Sequence, residues 1–313
     1  MSGTDGKQCA DLHVTAGDGS QGAAPQLAAD DGSQGAAPQP AADDGSQGAT
    51  PQLAADDALR STSSQVEADD GFFFGVGAFE TIAVTAGRPL LLDAHLARLC
   101  RACEYLSVDA DAGELAREVR KRAAAPEVAG GRWALKLTVT PDNRLITLRP
   151  NPYGPARYDQ GFSLVTSPVR RNEGSPLTAM KTLCYADCIL AKREAMAAGF
   201  DEPVMLNNRG ELAEGATTNL FLVLDGCVLT PPVGCGLLPG VARAWVLEQG
   251  AAREAVLYPE DLARCEEAFV TNSLMGVMPV RSIDGRRLPS REHARDLLAR
   301  WQAEVDPSMG CRG

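Results

Sequence analysis

Apolar positions along the chain take on the periods of regular structure only from about Val66 onward. Phe79–Thr85 and Pro89–Leu92 are short apolar runs on either side of Ala86-Gly87-Arg88, which predicts a β-hairpin. Leu96, Leu99, Cys100, Cys103 and Leu106 then recur at intervals of three and four, the spacing of one helical face. A second hairpin is predicted where Trp133–Thr140 and Leu145–Leu148 flank Pro141-Asp142-Asn143. Beyond it, apolar runs predict strands at Ser163–Thr166, Val204–Leu206, Asn219–Leu224 and Ala268–Thr271. Helices are predicted at Leu183–Ala198, Gly240–Gln249, Asp261–Cys265 and Arg291–Trp301. The stretch Arg149-Pro150-Asn151-Pro152-Tyr153-Gly154-Pro155 continues neither a helix nor a central strand. It is the expected boundary between a smaller α+β domain, residues 66–155, and a larger α/β domain, residues 156–313.

Residues 1–65 follow a different rule. The pattern Asp-Gly-Ser-Gln-Gly-Ala-Ala/Thr-Pro-Gln-Leu/Pro-Ala-Ala recurs with a period of 13 residues, beginning at Asp18, Asp31 and Asp44. A fixed period raises the prospect of a solenoid. These units have no apolar face, and each carries two Gly and at least one Pro, so burial does not offset ordering entropy and disorder is expected.

Charge sharpens that division. Residues 1–70 hold twelve Asp or Glu against Lys7 and Arg60, a net −10 of the chain's −11. The body is therefore near neutral and has no basic stripe for nucleic-acid phosphates. No apolar run is long enough to span a bilayer, and the acidic N-terminus lacks a signal or transit segment, so a cytoplasmic protein is expected. The nine cysteines do not pair with His13, His95 or His293 at metal-site spacing, so no metal is expected. Cys100-x-x-Cys103 reads as a buried helix face rather than a redox pair, and free thiols suit a reducing compartment.

Candidate chemistry is concentrated in a few segments. Lys181 follows Met180 and precedes Leu183, Ala186, Ile189 and Leu190, which read as one apolar helical face. Apolar surroundings lower a lysine pKa and favour the nucleophilic amine, although a helix-end lysine also commonly reaches out to water. Glu214 opens the turn Gly215-Ala216-Thr217-Thr218 before Asn219, and by itself reads equally as a solvated turn carboxylate. Leu238-Pro239-Gly240-Val241-Ala242-Arg243 brings a glycine turn into a helix, whose free amides at Val241 and Ala242 suit an anion. The glycines of Gly71–Gly77 lack the lysine and spacing of a phosphate loop.

Together, Met180–Tyr185 and Glu214–Asn219 resemble the class IV aminotransferase family, which includes branched-chain and D-amino acid aminotransferases and aminodeoxychorismate lyase. The resemblance runs from about Asp69 to about Arg287 and includes Gly71–Thr81 and His95-Leu96-Ala97-Arg98-Leu99. It implies a fold type IV, D-amino acid aminotransferase-like enzyme using pyridoxal 5′-phosphate. Lys181 would condense with the cofactor aldehyde and act as the catalytic base, and Glu214 would keep the pyridine nitrogen protonated. Arg98, Val241, Ala242, Asn272 and Ser273 would hold the phosphate, with Tyr185, Thr217, Thr218 and Asn219 lining the pocket.

Asn272-Ser273-Leu274-Met275-Gly276-Val277 resembles the lyase members, where transaminases tend to show Gly-Thr-Ala or Ser-Ser-Thr. The reading is conversion of 4-amino-4-deoxychorismate to 4-aminobenzoate and pyruvate in folate biosynthesis. A branched-chain or D-amino acid aminotransferase is the alternative within the family, and a catalytically silent interaction protein the alternative outside it. The partners expected are a small-molecule substrate and a second copy of the chain as a homodimer. Three departures stand out: Asp70 where arginine is usual, Ala242 where a hydroxyl is frequent, and Thr140-Pro141-Asp142 where Thr-Arg-Gly is common. The last removes an arginine suited to a substrate carboxylate.

Overall fold

A computed structural model describes residues 66–128 and 130–310. The repeat segment and its expected disorder lie outside these residues.

Strands β1 (Ala78–Thr85) and β2 (Arg88–Pro89) meet across Ala86-Gly87, both at positive φ, 49° and 76°. Two successive positive φ values are what a two-residue hairpin turn needs to match strand twist. Strands β3 (Arg132–Val139) and β4 (Arg144–Pro150) extend this into an antiparallel sheet of order β2-β1-β3-β4. Pro150 closes β4 on the sheet edge, where its missing N–H breaks no ladder bond. Alternation sorts the two faces. Ala78, Ile82, Val84, Leu135, Leu137 and Val139 pack against Leu96, Leu99, Leu115 and Val119. Those four come from helices α2 (Leu92–Tyr105) and α3 (Ala112–Ala123). A short helix, α1 (Asp70–Phe74), precedes β1 and is capped by the Asp69 carboxylate, which accepts from the Phe72 amide at 3.1 Å.

The second sheet has nine strands and mixed direction. Helix α4 (Pro155–Gln160) leads into β5 (Phe162–Arg171), and helix α5 (Ala186–Ala197) joins β5 to β6 (Glu202–Asn207), which lies parallel to it. Strands β7 (Leu212–Gly215), β8 (Asn219–Leu224) and β9 (Cys227–Thr230) follow. Helix α6 (Val241–Glu248), strand β10 (Arg253–Glu254) and helix α7 (Pro259–Arg264) come next. Strands β11 (Glu267–Asn272), β12 (Gly276–Ile283) and β13 (Arg286–Arg287) and helix α8 (Glu292–Glu304) complete the fold. The order is β10-β9-β8-β11-β12-β5-β6-β7, with β13 on β12. Strand β8 explains why its sequence is apolar throughout: Leu220, Leu222 and Leu224 enter one core, Phe221 and Val223 the other. A strand buried on both faces has no polar side to alternate with.

Most predicted elements appear within a few residues of their expected limits, and β8 matches at both ends. Lys181 is the main correction. It does not enter a helix, because α5 begins only at Ala186. Residues 181–183 are instead drawn onto the start of β1: the Phe79 amide donates to the Lys181 carbonyl (2.9 Å) and the Leu183 amide to that of Gly77 (3.0 Å). The expected apolar face is also different. Ile189 and Leu190 are exposed, and α5 buries Cys188, Ala191 and Ala195. In α2, Cys103 is buried but Cys100 only half so. Cys100, Cys103, Cys184, Cys188, Cys235 and Cys265 are free thiols. No described helix is long and apolar enough to cross a membrane.

Candidate active site

Lys181 is desolvated by aromatic rings rather than by its own helix. Its Nζ lies 4.5 Å from the centroid of Phe79 and 4.8 Å from that of Tyr185, two rings packed edge-to-face at 5.5 Å. Burial pushes the ammonium down to about 8; Arg98 adds to this while Glu80 and Glu214 oppose it. The Tyr185 hydroxyl donates to the Ala216 carbonyl (3.0 Å), which ties the lysine loop to the turn after β7.

Glu214 stands inside β7 rather than in the turn, and the hydroxyl-rich turn is Ala216-Thr217-Thr218. Its Oε2 accepts from the Leu238 amide (3.0 Å) and Asn219 Nδ2 (3.3 Å). Its Oε1 lies 3.2 Å from Arg171 Nε but accepts no hydrogen bond, because the ion pair is not aligned for one. Burial raises the carboxyl to about 7 against the pull of Arg171, the Leu238 amide and Lys181. A buried carboxylate with one open oxygen is a site for a further N–H cation. The nearby Glu211 contrasts with it: Arg209 first, with help from Asn207, holds that carboxyl at about 2.

Asn219 Nδ2 also donates to the Leu238 carbonyl (2.8 Å), fixing the turn that enters α6. A Cβ on Gly240 would sit 2.0 Å from Asn219 Oδ1, so only glycine fits there. No side chain caps α6, which leaves the amides of Val241 and Ala242 without helical partners. Arg98 reaches the same turn from α2, its Nη1 donating to the Pro239 carbonyl at 3.0 Å. Arg98 is buried, not a surface charge, whereas Arg101 is exposed. Its Nε and Nη2 grip Glu80 at 2.8 and 2.7 Å, and His95 Nδ1 lies 2.7 Å from the same carboxylate. Of the five guanidinium N–H groups, two remain for an anion.

Thr217 and Thr218 turn inward. The Thr217 amide (2.7 Å) and both hydroxyls donate to the fully buried Glu202, which Lys192 neutralises. Asn272 joins this turn through Nδ2 to the Thr217 carbonyl (3.3 Å), and its Oδ1 accepts the amides of Leu274 and Met275, each at 3.0 Å. The side chain of Asn272 thus closes its own loop, and the neighbouring Ser273 hydroxyl is left unbonded among the described residues. Hydrogen bonds and ring contacts tie Arg98, Lys181, Tyr185, Glu214, Thr217, Thr218, Asn219 and Asn272 to one another or to the turns between them, while Val241, Ala242 and Ser273 come beside them through the chain. Two concavities, of about 650 Å³ beside Leu91 and about 230 Å³ beside Arg287, lie apart from this cluster.

Arg171, Glu202 and Lys192 were not selected from sequence. The available signal was an acid heading the otherwise apolar run Glu202–Leu206; nothing local marks the other two. The departures near Asp70 and Thr140 prove to be neighbours. Asp69, not Asp70, accepts from Thr140 Oγ1, the Asp142 amide (2.9 Å) and Asn143 Nδ2 (3.0 Å), so α1 and the β3–β4 loop are held by one carboxylate.

The family model for amino-transferase class IV matches residues 77–283. The crystal structure of 4-amino-4-deoxychorismate lyase from Pseudomonas aeruginosa superposes with a TM-score of 0.70 at 31% identity, covering 78% of this chain and 97% of that one. A putative branched-chain-amino-acid aminotransferase of Methanocaldococcus jannaschii is 28% identical over 75% of this chain and 91% of its own. Aminodeoxychorismate lyase of Bacillus subtilis is 27% identical over 68% and 80%. The open Glu214 oxygen, the two spare Arg98 donors and the uncapped amides of α6 fit a pyridinium and a phosphate. The chain belongs to the class IV aminotransferases, enzymes of fold type IV, and pyridoxal 5′-phosphate is its cofactor.

Proposed function

We propose that the chain is a lyase converting 4-amino-4-deoxychorismate to 4-aminobenzoate and pyruvate; two of its relatives are named aminodeoxychorismate lyase. The observation that carries this reading is the Asn272–Gly276 loop: Asn272 closes it on its own backbone amides, and the loop's hydroxyl, Ser273, has no hydrogen-bond partner among the described residues. Similarity to the Pseudomonas lyase over nearly all of that chain supports it. The cofactor supplies an electron sink when bound. Glu214 Oε1 would accept its ring N–H, and Arg98, the amides of Val241 and Ala242, and Ser273 would take its phosphate. Asn219, Thr217, Thr218 and Asn272 hold those groups in place, and Tyr185 walls the lysine.

A lysine with a pKa near 8 carries a useful neutral fraction at physiological pH. Lys181 removes the proton from the amine-bearing ring carbon. The neighbouring carbon–oxygen bond breaks, the ring becomes aromatic, and the departing enolpyruvate takes up a proton to become pyruvate. The homodimer, the cytoplasmic location and the two-domain division at Arg149–Pro155 belong to the same proposal.

Purified protein with pyridoxal phosphate tests the reading when given aminodeoxychorismate, or leucine or D-alanine with 2-oxoglutarate. Release of 4-aminobenzoate and pyruvate is expected, and Lys181→Ala lowers it by at least about 10²–10⁴-fold. Lysine-dependent glutamate formation alone makes the chain a transaminase.

A further inference from the structure

Five cations around the cluster have partners. Arg98 holds Glu80, Arg171 pairs with Glu214, Lys192 with Glu202 and Arg132 with Asp306. Arg144 is turned onto the carbonyls of Thr140 and Asp109. Lys136 and Arg149 have no hydrogen bond or ion pair among the described residues. They share one face of the small sheet. Thr81, Lys136 and Thr147 are in register, as are Ala83, Ala134 and Arg149, which makes the two cations diagonal neighbours. Diagonal residues on adjacent strands lie about 7–8 Å apart, within reach of long side chains.

That face points at the lysine. Lys136 Nζ lies 4.6 Å from the centroid of Phe79, the same ring that Lys181 Nζ approaches to 4.5 Å. Phe79 therefore spaces Lys136 from the reacting amine by no more than the sum of those distances. Arg149 extends the array along the same face, and its charge is felt at Tyr153. Both side chains are exposed, and two unneutralised like charges side by side repel; partial desolvation first, and then Arg149, lowers the Lys136 pKa. An anion bound between them removes that cost.

We propose that Lys136 and Arg149 receive the two carboxylates of the substrate and give the site its preference for a dianion over a monoanion. The inference rests on the lyase reading, since that substrate carries one carboxylate on the ring and one on the enolpyruvyl group. The two cations are binding and specificity residues and take no part in proton transfer.

Calorimetry on the cofactor-loaded full chain tests this. Chorismate is the dianionic probe, because its hydroxyl cannot displace Lys181, and 4-hydroxybenzoate is the monoanionic one. Lys136→Gln and Arg149→Gln are each expected to weaken chorismate binding about tenfold and together about a hundredfold. Lys136→Arg should restore most of the loss, and the absorbance of lysine-bound cofactor should stay unchanged as a check on folding. In turnover, KM rises by the same factors while kcat moves by less than about threefold. Chorismate binding equal to wild type in the double variant overturns the proposal. If wild type releases no 4-aminobenzoate while diacid binding still depends on the pair, the lyase reading fails and the dianion site stands.

Discussion

Glu80 and Glu214 are both buried carboxylates near Lys181, yet their surroundings treat them oppositely. Burial raises both. At Glu80 it is overcome by Arg98 and His95, which hold the carboxyl at about 2, with both oxygens engaged by donors. At Glu214 burial wins, the carboxyl rises to about 7, and one oxygen has no hydrogen bond. A saturated carboxylate does structural work, orienting Arg98 and through it the Pro239 turn. An unsaturated one is prepared for a group the protein chain does not supply.

The strongest way to break this contrast is to remove Glu80. Glu80→Ala leaves Arg98 buried without its partner and should cost about 3–5 kcal/mol of stability in denaturant unfolding. A loss below about 1 kcal/mol would mean that the pair is not structural. Glu214→Gln should do the reverse, with little loss of stability but a fall in turnover of about 10²–10³-fold. Its pH signature is distinct. The folded state holds a proton on Glu214 that the unfolded state has released between about 4.5 and 7, so this group's contribution to stability falls as pH rises through that window. Glu214→Gln removes that slope, and unfolding curves at pH 5 and 7 compare the two proteins. Glu80 acts with opposite sign: its stabilisation is full above about 4.5 and is lost as pH falls toward 2.

A smaller effect concerns the group between the two carboxylates. Only the neutral amine of Lys181 condenses with an aldehyde. The rate of cofactor capture by apo protein should therefore climb about tenfold per unit at low pH and level off near pH 8. Stopped-flow absorbance measures this, and a plateau near the ordinary lysine value of 10.5 would show that burial has not lowered the amine. The smallest effect sharpens the phosphate side. Gly240→Ala must displace Asn219 and should weaken cofactor retention about tenfold, while Gly234→Ala, with nothing within 4 Å, should be silent in equilibrium dialysis.

Much of the fold was legible where apolar runs answered to local burial. Asn219–Leu224 reads as a strand because both of its faces are in core. Leu212–Gly215 was missed because four residues show no period, and Gly276–Ile283 because its Gly and Pro read as a turn. At the site, the motif singles out Lys181, Glu214 and Arg98, which lie near one another in the fold, but their local explanations are wrong or incomplete. Lys181 is desolvated by Phe79, a residue about a hundred positions away, and Arg98 of α2 is buried against Glu80 of β1. Such partners leave no trace in local spacing.

The bond from Arg98 to the Pro239 carbonyl spans 141 residues, and Asn272 reaches back to Thr217 over 55. The proposed cofactor cradle therefore has no local precursor, and a nascent chain cannot assemble it until the segment through Ser273 has been synthesised and folded. Contacts this distant close late and slowly. Pyridoxal phosphate, which finds its cradle only in the finished fold, then acts as a latch on maturation: at a hundred times its dissociation constant it adds about 2.7 kcal/mol to the native state.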